Sequence, residues 1–348
     1  MTSELVDQVR LHHLAIPLKG AFHTGLGGID SRDIVLVEVR IGGHPGWGEA
    51  SPYPGQDESI DDVIAAVAGG PVPVTLSSAI EFAVADAEAR VAGVSLASEI
   101  GAERTSVPAS IAVSLGGDPG SVVGRAFSLG VERFKLKIAP GHVQHVFRIV
   151  EDYPNAVIGV DANGSFDDRT VDELVTLEDL PLVYLEQPCH PSSTPVLERI
   201  RTIMDIPVFM DESVRTVADA RTMLGSAFVD GVVVKPGRLG LTGCLETIGE
   251  AQRVGKRWRA SGLLESGVGR SYTDILAGLP SAFLSDVAPA EWFLESDVVP
   301  SRFESGCVSL PAGHGIGVSP DTEVMGRYEI ASYEAPDLFR RLAGRDLG

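Results

Sequence analysis

From about residue 108 onward, the chain repeats one unit, in which a short apolar run is followed by a polar stretch with helical spacing. Short apolar runs predict buried strands, and strands that alternate with helices predict a parallel sheet. Eight such units in roughly 180 residues favour an α/β fold with a (β/α) TIM-like barrel. The predicted strands lie near 109–114, 133–138, 157–161, 182–186, 207–211, 231–235, 259–265 and 282–286, and the clearest predicted helices near 168–178, 194–202, 217–224 and 241–254.

Both ends of the chain depart from this repeat. Within the first 107 residues, the largely β-branched run 34–39 predicts a strand, and the spacing of apolar residues over 79–92 predicts a helix. The tail from residue 291 is interrupted by prolines and glycines, and we expect it to fold back onto the N-terminal region. The sequence therefore predicts an α+β capping domain, residues 1–107 together with 291–348, beside a barrel domain of residues 108–290.

The composition argues against several classes of partner. The formal net charge is -20, so we expect no binding to nucleic acid or to anionic membranes, because both carry charge of the same sign. No apolar run has the length of a membrane span, and the first residues lack the pattern of a secretory signal. The three cysteines, Cys189, Cys244 and Cys307, form no CxxC pair, which favours a reducing, cytoplasmic location.

Five ionisable residues stand at the ends of five consecutive predicted strands. They are separated by 24, 25, 25 and 24 residues, which is about one strand–helix unit each. Barrel active sites are built at the carboxyl ends of the strands, so these side chains are predicted to meet at the barrel mouth. A single acidic residue in such a place is usually a helix cap, but capping does not explain a regular series. In chain order the series is Lys137, Asp161, Glu186, Asp211 and Lys235.

The three carboxylates of this series predict a metal site. Carboxylates that converge at a barrel mouth require a cation if all of them are to stay ionised. Hard oxygen ligands without histidine or cysteine nearby suit Mg²⁺, and Mn²⁺ is expected to substitute, so Asp161, Glu186 and Asp211 are the predicted ligands. A substrate carboxylate at this cation would have its enolate form stabilised. A modest base could then remove the adjacent proton, and Lys137 and Lys235 flank the ligands.

Neighbouring polar residues are predicted to support the series. Residues two apart on a strand face the same side, so Lys135 is expected to point into the barrel with Lys137. For the same reason, Asn163 is expected to lie beside the carboxylate two residues before it. Glu212 is expected to turn toward Lys235.

The same residues resemble the motifs of the enolase superfamily, in particular of its muconate-lactonizing subgroup, and the resemblance covers nearly the whole chain. It implies a barrel with a capping domain made from both chain ends, and a lysine base that works with Mg²⁺. None of the eight histidines lies on the predicted seventh strand, so a histidine base is not expected there. The matching motifs are Lys135-Leu136-Lys137, Asp161-Ala162-Asn163, Glu186-Gln187-Pro188, Asp211-Glu212-Ser213 and Lys235-Pro236-Gly237.

One segment narrows the resemblance further. Residues 261–270, which read SGLLESGVGR, resemble the corresponding segment of o-succinylbenzoate synthases and of N-succinylamino acid racemases, with Ser261 in place of a glycine. Dipeptide epimerases of the subgroup carry Asp-x-Asp on the eighth strand, where this chain has Leu284-Ser285-Asp286. The predicted substrate contacts are Ser266 and Gly267 of the segment, together with Phe22 and Tyr53 of the capping loops.

The resemblance implies one of two reactions on a small-molecule carboxylate. In the first, the dehydration performed by o-succinylbenzoate synthases in menaquinone biosynthesis, Lys137 removes the α-proton and then helps the hydroxyl leave as water. Lys235 stays protonated and stabilises the enediolate. In the second, racemisation of an N-acylamino acid such as an N-succinylamino acid, the two lysines act as opposed acid and base. We favour the dehydration. Another enzyme of the muconate-lactonizing type, such as a dipeptide epimerase, and a non-catalytic binding protein are the remaining alternatives, and we expect a homo-oligomer.

Overall fold

The computed structural model describes residues 6–24, 27–53 and 58–343. Its strands are β1 Val6–Thr24, β2 Gly27–Ile41, β3 His44–Ala50, β4 Ser106–Pro108, β5 Ser110–Val113, β6 Arg133–Lys137, β7 Val157–Asp161, β8 Leu182–Glu186, β9 Val208–Met210, β10 Gly231–Val234, β11 Arg257–Ala260, β12 Phe303–Glu304, β13 Cys307–Ser309 and β14 Glu329–Glu334. Its α-helices are α1 Ile60–Val67, α2 Val74–Ala92, α3 Leu96–Glu99, α4 Pro119–Ser128, α5 Gln144–Asp152, α6 Thr194–Ile203, α7 Val217–Gly225, α8 Pro236–Arg253, α9 Gly267–Ala277, α10 Thr322–Tyr328 and α11 Pro336–Ala343.

Seven parallel strands, β5 to β11, form the barrel wall in the order of the chain, which confirms the predicted barrel class. The strands are buried on both faces, as the run Gly231–Val234 illustrates, because helices cover the outside of a parallel sheet. Apolar residues of the strands, such as Val160 and Leu185, pack with Ile149 of α5 and Ile200 of α6 in one continuous core. In the described part of the chain, no helix is long and apolar enough to cross a membrane.

The predicted eighth strand, 282–286, is not a regular strand, although it does close the barrel. The amides of Phe283 and Asp286 donate to carbonyls of β11, and Val287 accepts a hydrogen bond from the amide of Ser110 on β5. A regular ladder is interrupted because the hydroxyl of Ser285, rather than a backbone carbonyl, accepts the hydrogen bond from the amide of Ala260. The segment therefore joins the first and last strands of the wall through an irregular backbone.

Other boundaries also differ from the sequence prediction. The seventh strand, predicted over 259–265, is found at β11, and the chain beyond it turns at Leu264, which has a φ of +65°. The helix predicted over 168–178 is a 3₁₀ helix over Val171–Leu177. The helix predicted over 241–254 begins earlier, as α8, and is kinked at Gly240.

The capping region is built around a four-stranded antiparallel sheet in the order β14-β1-β2-β3. The tail does fold back, because β14 pairs with β1. Helix α2 lies close against β3, where a Cβ on Gly48 would come within 1.9 Å of the Ala79 carbonyl oxygen. The α+β fold of the capping region is thus observed. The boundaries between the capping domain and the barrel domain, at 107/108 and 290/291, stay a prediction.

Candidate active site

The five residues predicted at strand ends meet at one edge of the barrel. Lys137, Asp161 and Glu186 are the last residues of β6, β7 and β8, and they lie side by side in the parallel register. Asp211 directly follows β9, and Lys235 directly follows β10. All five are buried, with at most 8% of their surface exposed. The structure therefore brings together the whole predicted series.

The two lysines hold the two outer carboxylates in the same way. Lys137 Nζ lies 2.6 Å from Asp161 Oδ2, and Lys235 Nζ lies 2.8 Å from Asp211 Oδ2. Both lysines line one cavity. Because they stand at opposite ends of the carboxylate row, a molecule bound between them would present a different face to each.

The central carboxylate, Glu186, belongs to a buried charge network that sequence reasoning misses. Lys135 Nζ donates to Glu186 Oε1 at 2.9 Å and lies 2.6 Å from Asp286 Oδ2. Arg259, with no exposed surface, bonds to both Glu186 and Asp286, and its Cζ lies 4.0 Å from the centroid of the Tyr184 ring. The signal in the sequence is Arg259 itself, a charged residue at the start of the predicted strand 259–265.

The charges of this network determine the ionisation of its members. Burial lowers the pKa of Lys135, but the carboxylates of Asp286 and Glu186 outweigh burial and hold that pKa well above its ordinary value. Burial raises the pKa of Asp161, yet Lys137 and Lys135 outweigh it and keep that pKa well below its ordinary range. Burial raises the pKa of Glu186 to about 8, against the opposing effect of Lys135. The contacts of Lys135 with Glu186 and Asp286 therefore favour its protonated form.

Asn163 links the first carboxylate to Glu212. The backbone N–H of Asn163 donates to Asp161 Oδ1 at 2.9 Å, and its side-chain Oδ1 accepts a hydrogen bond from Lys137 Nζ at 2.9 Å. Its Nδ2 donates to Glu212 Oε1 at 2.9 Å. The hydrogen bond that Glu212 makes is thus with Asn163, while the positive charge of Lys235 also acts on its carboxyl, so the predicted orientation toward Lys235 stays a prediction.

The carboxylate oxygens of the site are ligands that suit a hard divalent cation, although basic side chains contact these oxygens in this structure. Within the described ranges, no three carboxylate, imidazole or thiol groups form a ready-made metal cage. The outer carboxylates contact Lys137 and Lys235, and Glu186 contacts Lys135, so a cation would replace ammonium contacts. Glu212 Oε2 is a further buried carboxylate oxygen without a hydrogen-bond partner. Oxygen donors of this kind are those that Mg²⁺ prefers, so the residues present fit this metal.

A cavity of about 730 Å³, measured with its open mouth, lies against these groups. Tyr53 lines it, together with Leu263, Leu264 and Phe293. Phe22, the other predicted contact from the capping region, belongs to β1, but its side chain lies outside the described residues.

Ser266 and Gly267, predicted to contact substrate, do not line this cavity. Ser266 Oγ donates to Glu49 Oε2 at 2.5 Å and accepts from the amide of Val268, so it caps α9 and fastens it to β3. The amide of Gly267 donates to Asp297 Oδ1 at 2.8 Å. Both residues hold the segment against the capping region, which corrects the sequence prediction. The same segment contributes Arg270 to the cavity instead.

Comparisons with known proteins agree with this geometry. The family model described as "Enolase C-terminal domain-like" matches residues 122–324. An o-succinylbenzoate synthase of Bacillus subtilis is 27% identical, over 93% of this chain and 96% of its own length. An N-succinylamino acid racemase of Thermus thermophilus is 30% identical, over 90% and 94% respectively. A solved structure of an enolase superfamily member from Listeria innocua has a TM-score of 0.84 and 25% identity, covering 95% of this chain and 99% of that chain. The chain therefore belongs to the enolase superfamily of enzymes, through its enolase C-terminal domain-like family.

Proposed function

We propose that the chain is an o-succinylbenzoate synthase, which dehydrates a cyclohexadiene carboxylate that carries a succinyl group. The observation that supports this function most is the pair of buried lysines at opposite ends of the carboxylate row, Lys137 and Lys235. The similarity to the synthase of Bacillus subtilis extends over nearly the whole of both chains, which supports the same reaction.

In this proposal, Mg²⁺ is held by Asp161, Glu186 and Asp211. When bound, the metal would supply positive charge near the substrate carboxylate, where negative charge develops as the adjacent proton leaves. With the metal bound to the carboxylates, Lys137 and Lys235, which contact Asp161 and Asp211 in this structure, would be free to contact the substrate. Lys135 and Arg259 would keep the orientation of Glu186, because each bonds to one of its two oxygens.

The proton steps are assigned to the two lysines. Lys137 Nζ accepts the α-proton as the C–H bond breaks, which leaves an enediolate and a protonated lysine. The same ammonium then gives its proton to the hydroxyl group as the C–O bond breaks, so the products are water and the aromatic acid. Lys235 stays protonated and places its charge on the opposite face of the enediolate.

Racemisation of an N-succinylamino acid is the second candidate. The near-equal contacts of the two lysines, 2.6 Å to Asp161 and 2.8 Å to Asp211, favour it, because each lysine stands ready to exchange a proton on its own face. The similarity to the racemase of Thermus thermophilus supports the same reading. Both reactions require the same lysines, so the site can support both.

The test is metal-dependent turnover of the two substrates by the purified protein. After treatment with a chelator, dehydration should be lost, and Mg²⁺ or Mn²⁺ should restore it. Full dehydration in excess chelator would overturn the metal assignment. A kcat/KM for racemisation far above that for dehydration would make the racemase the better assignment. The cytoplasmic location and the homo-oligomeric state stay predictions.

A further inference from the structure

Arg270 is a buried arginine that faces the same cavity as the two lysines. It lies in the first turns of α9, and only 7% of its surface is exposed. The same cavity is lined by apolar and aromatic side chains, namely Leu263, Leu264, Ala288, Phe293 and Tyr53, as well as by the polar groups of the carboxylate row. The cavity thus holds a further cation in addition to the lysines of the row.

The guanidinium of Arg270 is incompletely satisfied. Among the described residues, its buried Nε has no hydrogen-bond partner. Asp274, a buried carboxyl on the same helix, is bonded to Arg302 at 2.7 Å instead. The contact that Arg270 does make is with the ring of Phe293, whose centroid lies 5.6 Å from its Cζ. The Nε is closed off from the cavity, so a ligand would bind the two terminal nitrogens of the guanidinium, which bond to no described residue.

A second buried arginine shows how this protein satisfies a guanidinium that has only a structural role. Arg32, with 1% of its surface exposed, donates to the backbone carbonyls of Leu264, Pro52, Ser51 and Leu263. Its Nε and both terminal nitrogens are therefore occupied. Within residues 6–24, 27–53 and 58–343, Arg270 has no comparable set of acceptors, although it is nearly as buried and faces the cavity.

We propose that Arg270 binds a second carboxylate of the substrate, at the end of a flexible aliphatic arm. This inference rests on the proposed function and deepens it, because both candidate reactions act on molecules with a succinyl arm that ends in a carboxylate. A guanidinium pairs with a carboxylate through two parallel hydrogen bonds, which gives both affinity and geometry. The apolar wall would contact the methylene groups of the arm. Arg270 would then set the preference for a charged over a neutral end of the arm.

The experiment compares ligands that differ only at the end of the arm. One is an N-succinylamino acid, and the other is its analogue with a terminal carboxamide, which has the same shape without the charge. For the unmodified protein with Mg²⁺, kcat/KM for α-proton exchange should be about 10- to 100-fold higher for the carboxylate, because a hydrogen bond between charged groups is lost with the analogue. Equal kcat/KM values for the two ligands would overturn the proposal without requiring any variant.

Substitution then assigns the preference to one residue. Arg270→Met should lower kcat/KM for the carboxylate ligand to nearly that for the carboxamide, which should change little. Arg270→Lys should retain part of the preference, since it keeps the charge but loses the paired geometry. The matched control is Arg201→Met, which alters a half-buried arginine of α6 that bonds to Phe228 and Asp230 and does not line this cavity, and it should leave the ratio between the ligands unchanged. Equal loss for both ligands in Arg270→Met would show a structural role and contradict the proposal.

A binding measurement separates this inference from the proposed function. The dissociation constants of 2-succinylbenzoate and of its terminal carboxamide are measured by calorimetry, with the unmodified protein and with Arg270→Met. If the protein catalyses neither candidate reaction yet prefers the dicarboxylate through Arg270, the proposed function fails and the dicarboxylate site stands. If it catalyses either reaction but binds both ligands equally, the function stands and the dicarboxylate site fails.

Discussion

At the scale of single residues, the two proposed bases differ from ordinary surface lysines in their surroundings. Lys137 and Lys235 are 7% and 8% exposed, and each is tied to a carboxylate of the row. A lysine that holds such a contact has its protons directed at the carboxylate. It must therefore be released from that contact before it can accept a proton from a substrate.

Replacing either lysine by arginine tests the opposed arrangement. Arginine keeps the positive charge but does not deprotonate at working pH, so it cannot act as a base. For the racemisation candidate, Lys137→Arg should stop α-proton exchange from one enantiomer of an N-succinylamino acid, and Lys235→Arg should stop it from the other. Each loss should be about 10²–10⁴-fold, the usual contribution of a general base. The measurement is exchange of each enantiomer in deuterated water, followed by NMR.

The unaffected enantiomer is the internal control for each variant, because a general loss of structure would slow both. Exchange of both enantiomers at the unmodified rate in either variant would contradict the placement of the two lysines on opposite faces.

A second prediction at this scale concerns the adjacent pair Asp211 and Glu212. Asp211→Asn removes the charge of a proposed ligand, and Mg²⁺ affinity depends on the charge of the ligands. We expect Asp211→Asn to weaken binding by roughly tenfold or more beyond the effect of Glu212→Gln. The reason is that Glu212 is engaged by Asn163 and cannot take over the position. Calorimetric titration with Mg²⁺ measures both variants, and equal losses would show that the wrong member of the pair was chosen.

At the scale of elements, the strands that carry the proposed site were predictable and the closing segment was not. Strands β6, β7 and β8 are apolar runs that end at an ionisable residue, and their bounds agree with the sequence prediction to within a residue. Each is defined by its own sequence pattern. The segment 282–286 has a similar apolar pattern, but the hydroxyl of Ser285 competes for a backbone donor that lies 25 residues away in the chain. Periodicity does not reveal such a competition.

The barrel closure predicts the effect of Ser285→Ala. The hydroxyl accepts from the amide of Ala260 at 3.0 Å and donates to the carbonyl of Phe283 at 3.0 Å. Its removal leaves a buried amide without a partner, which should lower the free energy of unfolding by about 1–3 kcal/mol. Ser128→Ala, at an exposed position of α4, is the control and should change it by less than about 0.5 kcal/mol. Urea denaturation measures both, and equal effects would argue against a role for Ser285 in closure.

At the scale of the whole molecule, both parts of the capping region are fastened to the N-terminal end of α9. From the N-terminal part, Glu49 of β3 accepts hydrogen bonds from the amides of Ser266 and Gly269, each at 2.9 Å. From the tail, Asp297 accepts a hydrogen bond from the amide of Gly267 at 2.8 Å. The cavity wall is therefore held by contacts between residues that are distant in the chain.

The attachment of the tail should make stability depend on pH through Asp297. Burial raises the pKa of Asp297 to about 7, and the hydrogen bond from Gly267 lowers it only in part. Between the unfolded pKa near 3.8 and this value, the folded state binds the proton more tightly, so stability falls as pH rises through the window. Between pH 5 and pH 8, the free energy of unfolding should fall by on the order of 2 kcal/mol less in Asp297→Asn than in the unmodified protein. Urea denaturation at the two pH values measures this difference.

The control for that measurement is Asp337→Asn, which removes an exposed carboxylate of α11 and should leave the pH dependence unchanged. An Asp297→Asn profile that matches the unmodified protein would show that the tail carboxyl does not titrate in this range.

The sequence by itself determined the barrel class and the row of ionisable residues at its mouth. Both follow from local pattern, because a parallel barrel places the carboxyl end of each strand at the same edge. Only the tertiary structure decided which further side chains join that row or line the cavity beside it. These side chains come from three separate elements: Arg259 from β11, Asp286 from the closing segment 282–286 and Arg270 from α9. Their directions are set by packing between residues that are distant in the chain. For the same reason Ser266 and Gly267, which share a segment with Arg270, serve the attachment of the cap, while Arg270 faces the cavity.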